Sequence, residues 1–428
     1  MPLFLSNAAL NAFSLLWQLV FHEPPPSGLL RHLDRFLAFG TGMVAAKFLS
    51  VIAQIVIGRV LGQAGYGQLT IVLLLAGYLA VPITGGWGLA FTRIVANETE
   101  TDRRLAALNS LLLVALLMCL LVCGFFLGLR SYLGDWIGIG GRLIDATLIM
   151  GLLYAWWSLS KQIAQGFQDW RTYVVVEVAL SIILLAALLA FILAGHVDLY
   201  GVVVLFWIAY GLAGFGAIRY LVGAIKLGVV RTYVKPIVRH GGFMLLSGLV
   251  TVSTYSMDRI IIQKSLGPES VGLYQAHFLA TFGVVSALMT ILITYLFPLF
   301  CRDDNGHLHR NLGRLSLLQY PVTILLSAAV GRGVLWLYGY PLCLPLLVCL
   351  TLFGAVQFHV QMKAWYLSSK GANTALIALG SQLTFLILNA MILVVLVDRL
   401  GIISGGIALL AAALGSLLYL ICSKSSIR

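Results

Sequence analysis

The sequence predicts an all-α membrane protein with about twelve transmembrane helices in two six-helix lobes. Three observations carry that prediction. Only 10% of the 428 residues are charged and 61% are hydrophobic, where an ordinary soluble domain carries about one charged residue in four. Apolar runs such as "LNSLLLVALLMCLLVCGFFLGL" and "VALSIILLAALLAFILAG" are continuous, as helices of about 20 residues require. A β-barrel would instead alternate over short segments. Third, a Leu-Gly…Gly pattern recurs at matching positions of the two halves: Leu61, Gly62 and Gly67, then Leu266, Gly267 and Gly272.

Taken in order, residues 3–21 form an apolar stretch expected to lie on the membrane surface. "HEPPPSG" then breaks the chain, and residues 1–30 are read as an N-terminal extension. Six spans follow with approximate cores at 36–58, 69–91, 105–128, 143–165, 173–194 and 199–222, making a first lobe over 31–222. A basic linker, 223–239, contains "KLGVVRTYVKPIVRH". The second lobe, 240–428, holds cores at 240–264, 272–299, 313–335, 342–367, 374–397 and 402–422. With the N-terminus inside, the inner segments hold 19 Lys and Arg against 7 in the outer ones. That bias places both termini in the cytoplasm. The repeated Leu-Gly…Gly loop follows the first span of each lobe, so the lobes are expected to be parallel and related by a pseudo-two-fold axis along the membrane normal.

The net charge of +12 has no soluble basic domain to carry it, so nucleic acid is not an expected partner. The six cysteines form no CxxC pair. They are read as small packing residues rather than a metal site.

Polar residues within apolar runs are the candidates for function, because charge at bilayer depth is costly and must face protein or water. Lys47 lies mid-span and shares a face with Gly40, Val44, Ser50 and Gln54. No carboxylate in the first two spans offers itself as a partner, so Lys47 and Gln54 are expected to line a water-filled cavity, a buried pair being the alternative for Lys47. The fourth span carries Ser158, Lys161, Gln162, Gln165 and Gln168 on one side. In the seventh, Ser247, Thr251, Thr254 and Asp258 share a face, and Arg259 stands beside it near the outer headgroups. Asp258–Arg259 is read either as a gate or as a plain interfacial pair. The tenth span carries His359 and Lys363 four apart. Glu177 and Asp145, near span ends, are candidates for pairing with Lys161 or Arg171, or for carrying coupling protons. Gln382 and Asn389 are expected to join helices. Pro82, Gly85 and Gly86 are expected to break or loosen the second span.

The interior charges lean cationic: Lys47, Lys161, Arg259 and Lys363. Such a set attracts an anion, a diphosphate above all, while amides, hydroxyls and aromatics on the same faces suit a sugar. A lipid-linked sugar diphosphate satisfies both. Two other classes remain: a membrane-embedded polysaccharide polymerase or transferase, for which no nucleotide loop, metal cluster or nucleophile motif appears, and a cation-coupled multidrug exporter, which calls for deep acidic residues.

These features resemble the Wzx-type polysaccharide flippases of the multidrug/oligosaccharidyl-lipid/polysaccharide exporter superfamily. The resemblance covers about 31–428. It rests on "RVLGQAGYG" (59–67), "DRIIIQKSLGPESVGLY" (258–274), "LFP" (296–298) and "SSKGAN" (368–373). It implies two lobes around a central cavity in the bacterial inner membrane. It implies that an undecaprenyl-diphosphate-linked oligosaccharide, as in O-antigen synthesis, is flipped from the cytoplasmic to the periplasmic leaflet. Alternating access coupled to H+ or Na+ would drive the flip. No catalytic residue, cofactor or metal is implied. Lys47, Gln54, Lys161, Arg259 and Lys363 would then bind substrate, with Asp258, Glu177 and His359 gating or coupling. Membrane lipids, and the polymerase and chain-length proteins of the same pathway, would be partners. Residues 1–30 depart from the family pattern.

Overall fold

The computed structural model describes residues 27–96, 98–195, 197–226, 231–302, 307–370 and 372–425, with Ser14 and Gln18. Most of the 1–30 extension and part of the 223–239 linker lie outside these. Every regular element among the described residues is helical. That is the requirement for a chain crossing hydrocarbon, where each backbone N–H and C=O must find a partner within the protein.

Among the described residues, eleven helices are long and apolar enough to span a membrane. They give twelve crossings because the first helix, α1 (Ser27–Ala96), has 70 residues. At about 1.5 Å per residue a straight helix of that size would exceed three bilayer cores. It is broken at Gly62, whose φ of 66° and ψ of 179° lie outside helical space. The first lobe continues with α2 (Thr101–Ile137), α3 (Gly141–Gly166), α4 (Trp170–Leu193), and α5 (Leu199–Ala213), which runs through a 3-10 turn into α6 (Ile218–Lys226). Asp169 and Asp198 cap α4 and α5 by accepting from the backbone N–H of Thr172 and Gly201.

The second lobe repeats the plan. Its α7 (Val234–Thr254) and α8 (Met257–Leu266) together make one crossing, interrupted at Tyr255–Ser256. Next come α9 (Pro268–Phe278), a π-helical turn (Leu279–Gly283) and α10 (Val284–Arg302). Then follow α11 (His307–Tyr338), α12 (Leu344–Lys370), α13 (Ala372–Leu400) and α14 (Ile403–Ser425). Between α8 and α9, Gly267 adopts φ 83° and ψ 176°, matching Gly62. A Cβ at either glycine would meet no atom within 4 Å, so the backbone conformation alone requires glycine there.

The later glycines of the two repeats hold the lobes together. A Cβ on Gly67 would come within 1.9 Å of the Pro268 carbonyl oxygen, and one on Gly272 within 2.0 Å of the Gln63 oxygen. Each helix that follows a turn therefore crosses the other at its glycine, and the contact is reciprocal, as a two-fold relation demands. Without a hydrophobic force between helices in lipid, such close backbone approach is what drives their packing. Beside it, Tyr66 and Tyr338 place their hydroxyls 3.0 Å apart across the lobes, and the Tyr340 hydroxyl donates to the Gly58 carbonyl at 2.7 Å.

The expected break at Pro82, Gly85 and Gly86 does not occur: α1 stays helical through all three. The Pro82 carbonyl accepts from Trp87 Nε1 at 2.8 Å. Gly86 serves instead as a contact, since a Cβ there would lie 2.0 Å from the Gly241 oxygen on α7.

Candidate functional site

A cavity of about 240 Å³ lies where the two lobes meet. The first lobe contributes Leu89 from α1 and Gln165 from α3. The second contributes Thr251 from α7 and Tyr255 from the break after it, and α12 adds Gln361 and Trp365. One face of α10 completes the wall with Ser286, Met289, Thr290, Ile293, Thr294 and Phe297, spaced three and four apart as one helix face requires. None of the described lining residues is charged.

The wall's hydrogen-bonding groups are already oriented. Thr251 and Thr290 donate to the carbonyls of Ser247 and Ser286, four residues back, at 2.8 Å each. Their oxygens therefore face the cavity as acceptors. Tyr255 accepts from Gln357 Nε2 at 2.8 Å and Gln361 Nε2 at 3.0 Å, which leaves its hydroxyl hydrogen to donate. Its ring stacks on Phe282 of the π-turn, centroids 5.4 Å apart. Phe297 and Trp365 meet edge to face at 5.3 Å.

Behind this wall, in the first lobe, sits a cluster of three charges. Glu177 on α4 has a side chain only 4% exposed. It accepts from Lys161 Nζ at 2.7 Å, and Lys47 Nζ lies 3.6 Å from its other oxygen. Lys47 is thus paired, against the expectation of a lone lysine. Its partner comes from the fifth span, which sequence proximity could not reveal. The Lys47 side chain remains 33% exposed. The Lys161 ammonium also lies 3.5 Å from the centre of the Trp157 ring, a favourable cation–π placement. Two ammonium groups against one carboxylate leave the cluster with a net positive charge. It reaches the cavity in two ways. Lys161 is one turn from Gln165 on α3, and Tyr173, whose ring centre is 5.9 Å from Lys161 Nζ, brings its hydroxyl to Thr294.

The second-lobe charges lie elsewhere than expected. Asp258 and Arg259 are buried within the protein, with side chains 0% and 3% exposed, and they pair at 3.0 Å. Tyr274 donates to Asp258 Oδ2 at 2.5 Å. Arg259 donates to Gln275 at 2.5 Å and to the Tyr255 carbonyl, and its guanidinium lies 3.9 Å from the Phe278 ring centre. The pair closes on itself and holds the backbone at the interruption between α7 and α8. Neither residue lines the cavity.

The remaining candidates are dispersed. Gln54 is half-buried and accepts from Tyr66 at 3.3 Å. His359 stacks on Tyr320 at 5.8 Å. Lys363 is half-buried, two residues beyond Gln361. Asp145 pairs with Arg130 at 3.4 Å, rather than with Lys161 or Arg171. Gln382 accepts from Ser247 at 3.1 Å, whereas buried Asn389 has no hydrogen-bond partner among the described residues.

Sequence reasoning missed Tyr255, Thr290, Thr294 and Trp365 as wall residues and Tyr173 as the bridge behind them. One signal existed: Ser286, Thr290 and Thr294 recur every four residues along an otherwise apolar run. It also missed His277, which is fully buried. His277 Nδ1 bonds the Leu273 carbonyl at 2.9 Å and Nε2 accepts from the Cys343 N–H at 3.0 Å. That pairing fixes a neutral ring that ties α9 to the loop before α12.

Comparison with known proteins places this geometry. The model of a family described as polysaccharide biosynthesis proteins matches residues 33–302. No curated protein sequence matches the chain. Among solved structures, a multidrug-resistance MATE transporter of the MOP superfamily, in an inward-facing conformation, is similar with a TM-score of 0.67 and 12% identity. The match covers 89% of this chain and 95% of that one. The lipid II flippase MurJ, inward closed, is similar with a TM-score of 0.61 and 13% identity over 91% of this chain and 87% of that chain. A MOP-superfamily transporter from Pyrococcus furiosus, reported to have a binding pocket of reverse polarity, has a TM-score of 0.63 and 14% identity, with coverage of 92% and 96%. At these identities the likeness is one of fold: helical, multi-pass and two-lobed.

Proposed function

The chain belongs to the family of polysaccharide biosynthesis proteins, and from that premise we propose that it is a flippase for a lipid-linked oligosaccharide. Its substrate is an undecaprenyl-diphosphate-linked repeat unit, as in O-antigen synthesis. It is carried from the cytoplasmic to the periplasmic leaflet of a bacterial inner membrane, in which both termini face the cytoplasm. One observation carries this reading: a cavity shared by both lobes whose described lining mixes apolar side chains with uncharged polar ones, backed by a charge cluster with one ammonium group in excess.

The chemistry divides accordingly. A diphosphate is a dense anion that pairs well with ammonium groups in a site of low dielectric. Lys47, the more exposed lysine, meets it first. Glu177 is the resident anion that holds both lysines when no substrate is present, and the diphosphate competes with it for them. Protonation of Glu177, or Na+ binding at its carboxylate, would release the lysines, so a coupling ion has a place to act. Alternating access then follows from breaking one close inter-lobe contact at a time: Gly67 with Gly272 at one end, Gly86 with Gly241 at the other. The polymerase and chain-length proteins of the same pathway would take the flipped product. Export of cationic drugs fits less well, because no carboxylate among the described residues lines the cavity to receive a cation.

The test is genetic and chemical. Loss of the gene should stop surface polysaccharide and cause the lipid-linked repeat unit to accumulate. A chain with Lys47→Ala should lower surface polysaccharide at unchanged protein level. Normal polysaccharide and no accumulation in the gene-loss strain would sink the flippase reading.

A further inference from the structure

We infer that the inter-lobe cavity is a subsite for a single uncharged sugar ring, and that it discriminates against acidic sugars. This deepens, and rests on, the reading of the chain as a flippase for glycan-bearing lipids.

The argument begins with donors and acceptors. An anionic group such as a carboxylate or phosphate only accepts hydrogen bonds, so a site for it must present donors. This wall does the reverse on one side. The hydroxyl hydrogens of Thr251 and Thr290 are spent on their own helix, so both oxygens offer lone pairs that would repel an anion. One turn on from Thr251, the Tyr255 hydroxyl has a hydrogen to give, because two amides already donate to its oxygen. A sugar hydroxyl both donates and accepts, so it satisfies such a mixed wall. Its ring also offers C–H faces to the aromatic surface that Trp365 and Phe297 provide.

Size and charge narrow the match. Pockets for drug-sized ligands run to about 300–1,000 Å³. At about 240 Å³ this one takes a ring-sized group, not an oligosaccharide. The cations that would answer a negative sugar, Lys47 and Lys161, are not among the residues of the wall. An acidic sugar in the cavity would lose its hydration and meet only neutral donors such as the Tyr255 hydroxyl, with no cation in the described wall to pair with its charge. The structure thus assigns the two parts of the substrate to two places: the diphosphate to the lysines and the first neutral sugar to the cavity.

The test uses the purified full chain in lipid nanodiscs and three probes: bare undecaprenyl diphosphate, the same lipid carrying one N-acetylglucosamine, and the same lipid carrying one glucuronic acid. Dissociation constants are read by native mass spectrometry. The N-acetylglucosamine form should bind about tenfold tighter than the bare lipid, roughly the effect of one or two uncharged hydrogen bonds. The glucuronic acid form should show no such gain. In Thr290→Val and in Tyr255→Phe the ratio of neutral-sugar to bare-lipid affinity should fall toward one. Overturning results are a ratio near one in the unaltered chain, a glucuronic acid form that gains as much as the neutral form, or a ratio untouched by both substitutions. If bare lipid binds while any of these holds, the subsite fails and the flippase reading stands. If no diphosphate lipid binds at all, the flippase reading fails and the subsite falls with it.

Discussion

The charge cluster of the first lobe is unbalanced, and the Asp258–Arg259 pair of the second is balanced. Lys47, Lys161 and Glu177 leave one ammonium in excess, with Lys47 a third exposed. Asp258 and Arg259 neutralise each other at full burial, and Tyr274, Gln275 and the Tyr255 carbonyl make further hydrogen bonds with them. The lesson is that charge at membrane depth is not by itself a binding site. A cluster with an excess ion and an exposed member can take a ligand, whereas a closed pair fixes backbone.

That contrast can be broken by mutation, and the largest effect should come from the closed pair. Arg259→Ala leaves Asp258 buried without its partner. Removing one member of a buried pair typically costs about 3–5 kcal/mol, so the yield of folded protein and its melting temperature in detergent should drop sharply. If the pair is only structural, an Arg259→Ala chain that still folds should transport in proportion to its amount. Next come the reciprocal glycines. Gly67→Ala and Gly272→Ala each drive a methyl into a backbone carbonyl, for which about 1–3 kcal/mol is the usual cost of overpacking. The two should be similar in size, and a large asymmetry in melting temperature would contradict the two-fold contact.

Lys47→Ala should act oppositely to Arg259→Ala, lowering surface polysaccharide by severalfold with little change in melting temperature. Lys161→Ala should lower both, because Lys161 makes the shorter bond to Glu177 and sits on Trp157. If Lys47→Ala exports normally, the unbalanced cluster is architecture like the other.

The smallest effect concerns Asp169, outside the spans. Burial pushes its carboxyl up, but hydrogen bonds from Thr172 and Tyr220 and the Arg219 guanidinium outweigh this and hold it below the ordinary carboxylate range. A carboxyl lowered in the folded state stabilises fully above its unfolded pKa of about 3.9, and that contribution is lost as pH falls through the folded value. Asp169→Asn keeps the helix cap acceptor while removing the charge. Its melting temperature should match that of the unaltered chain at the acid end and fall slightly below it at neutral pH.

The sequence by itself determined the solvent, the crossings and the repeat. Long apolar runs can meet hydrocarbon only as helices, and Gly62 and Gly267 occupy a backbone conformation that other residues avoid, so both are local properties. It also marked Lys47, Lys161, Glu177, Asp258 and Arg259 as costly wherever they lie. The tertiary structure decided which charge meets which. Lys47 and Glu177 lie 130 positions apart in the chain and come together only when α4 packs on α1. It decided, too, that Pro82 would not break its helix and that the cavity wall would be built from uncharged side chains on five helices and the interruption after α7. Spacing along one helix shows which residues share a face, but what that face meets depends on the partner helix packed against it.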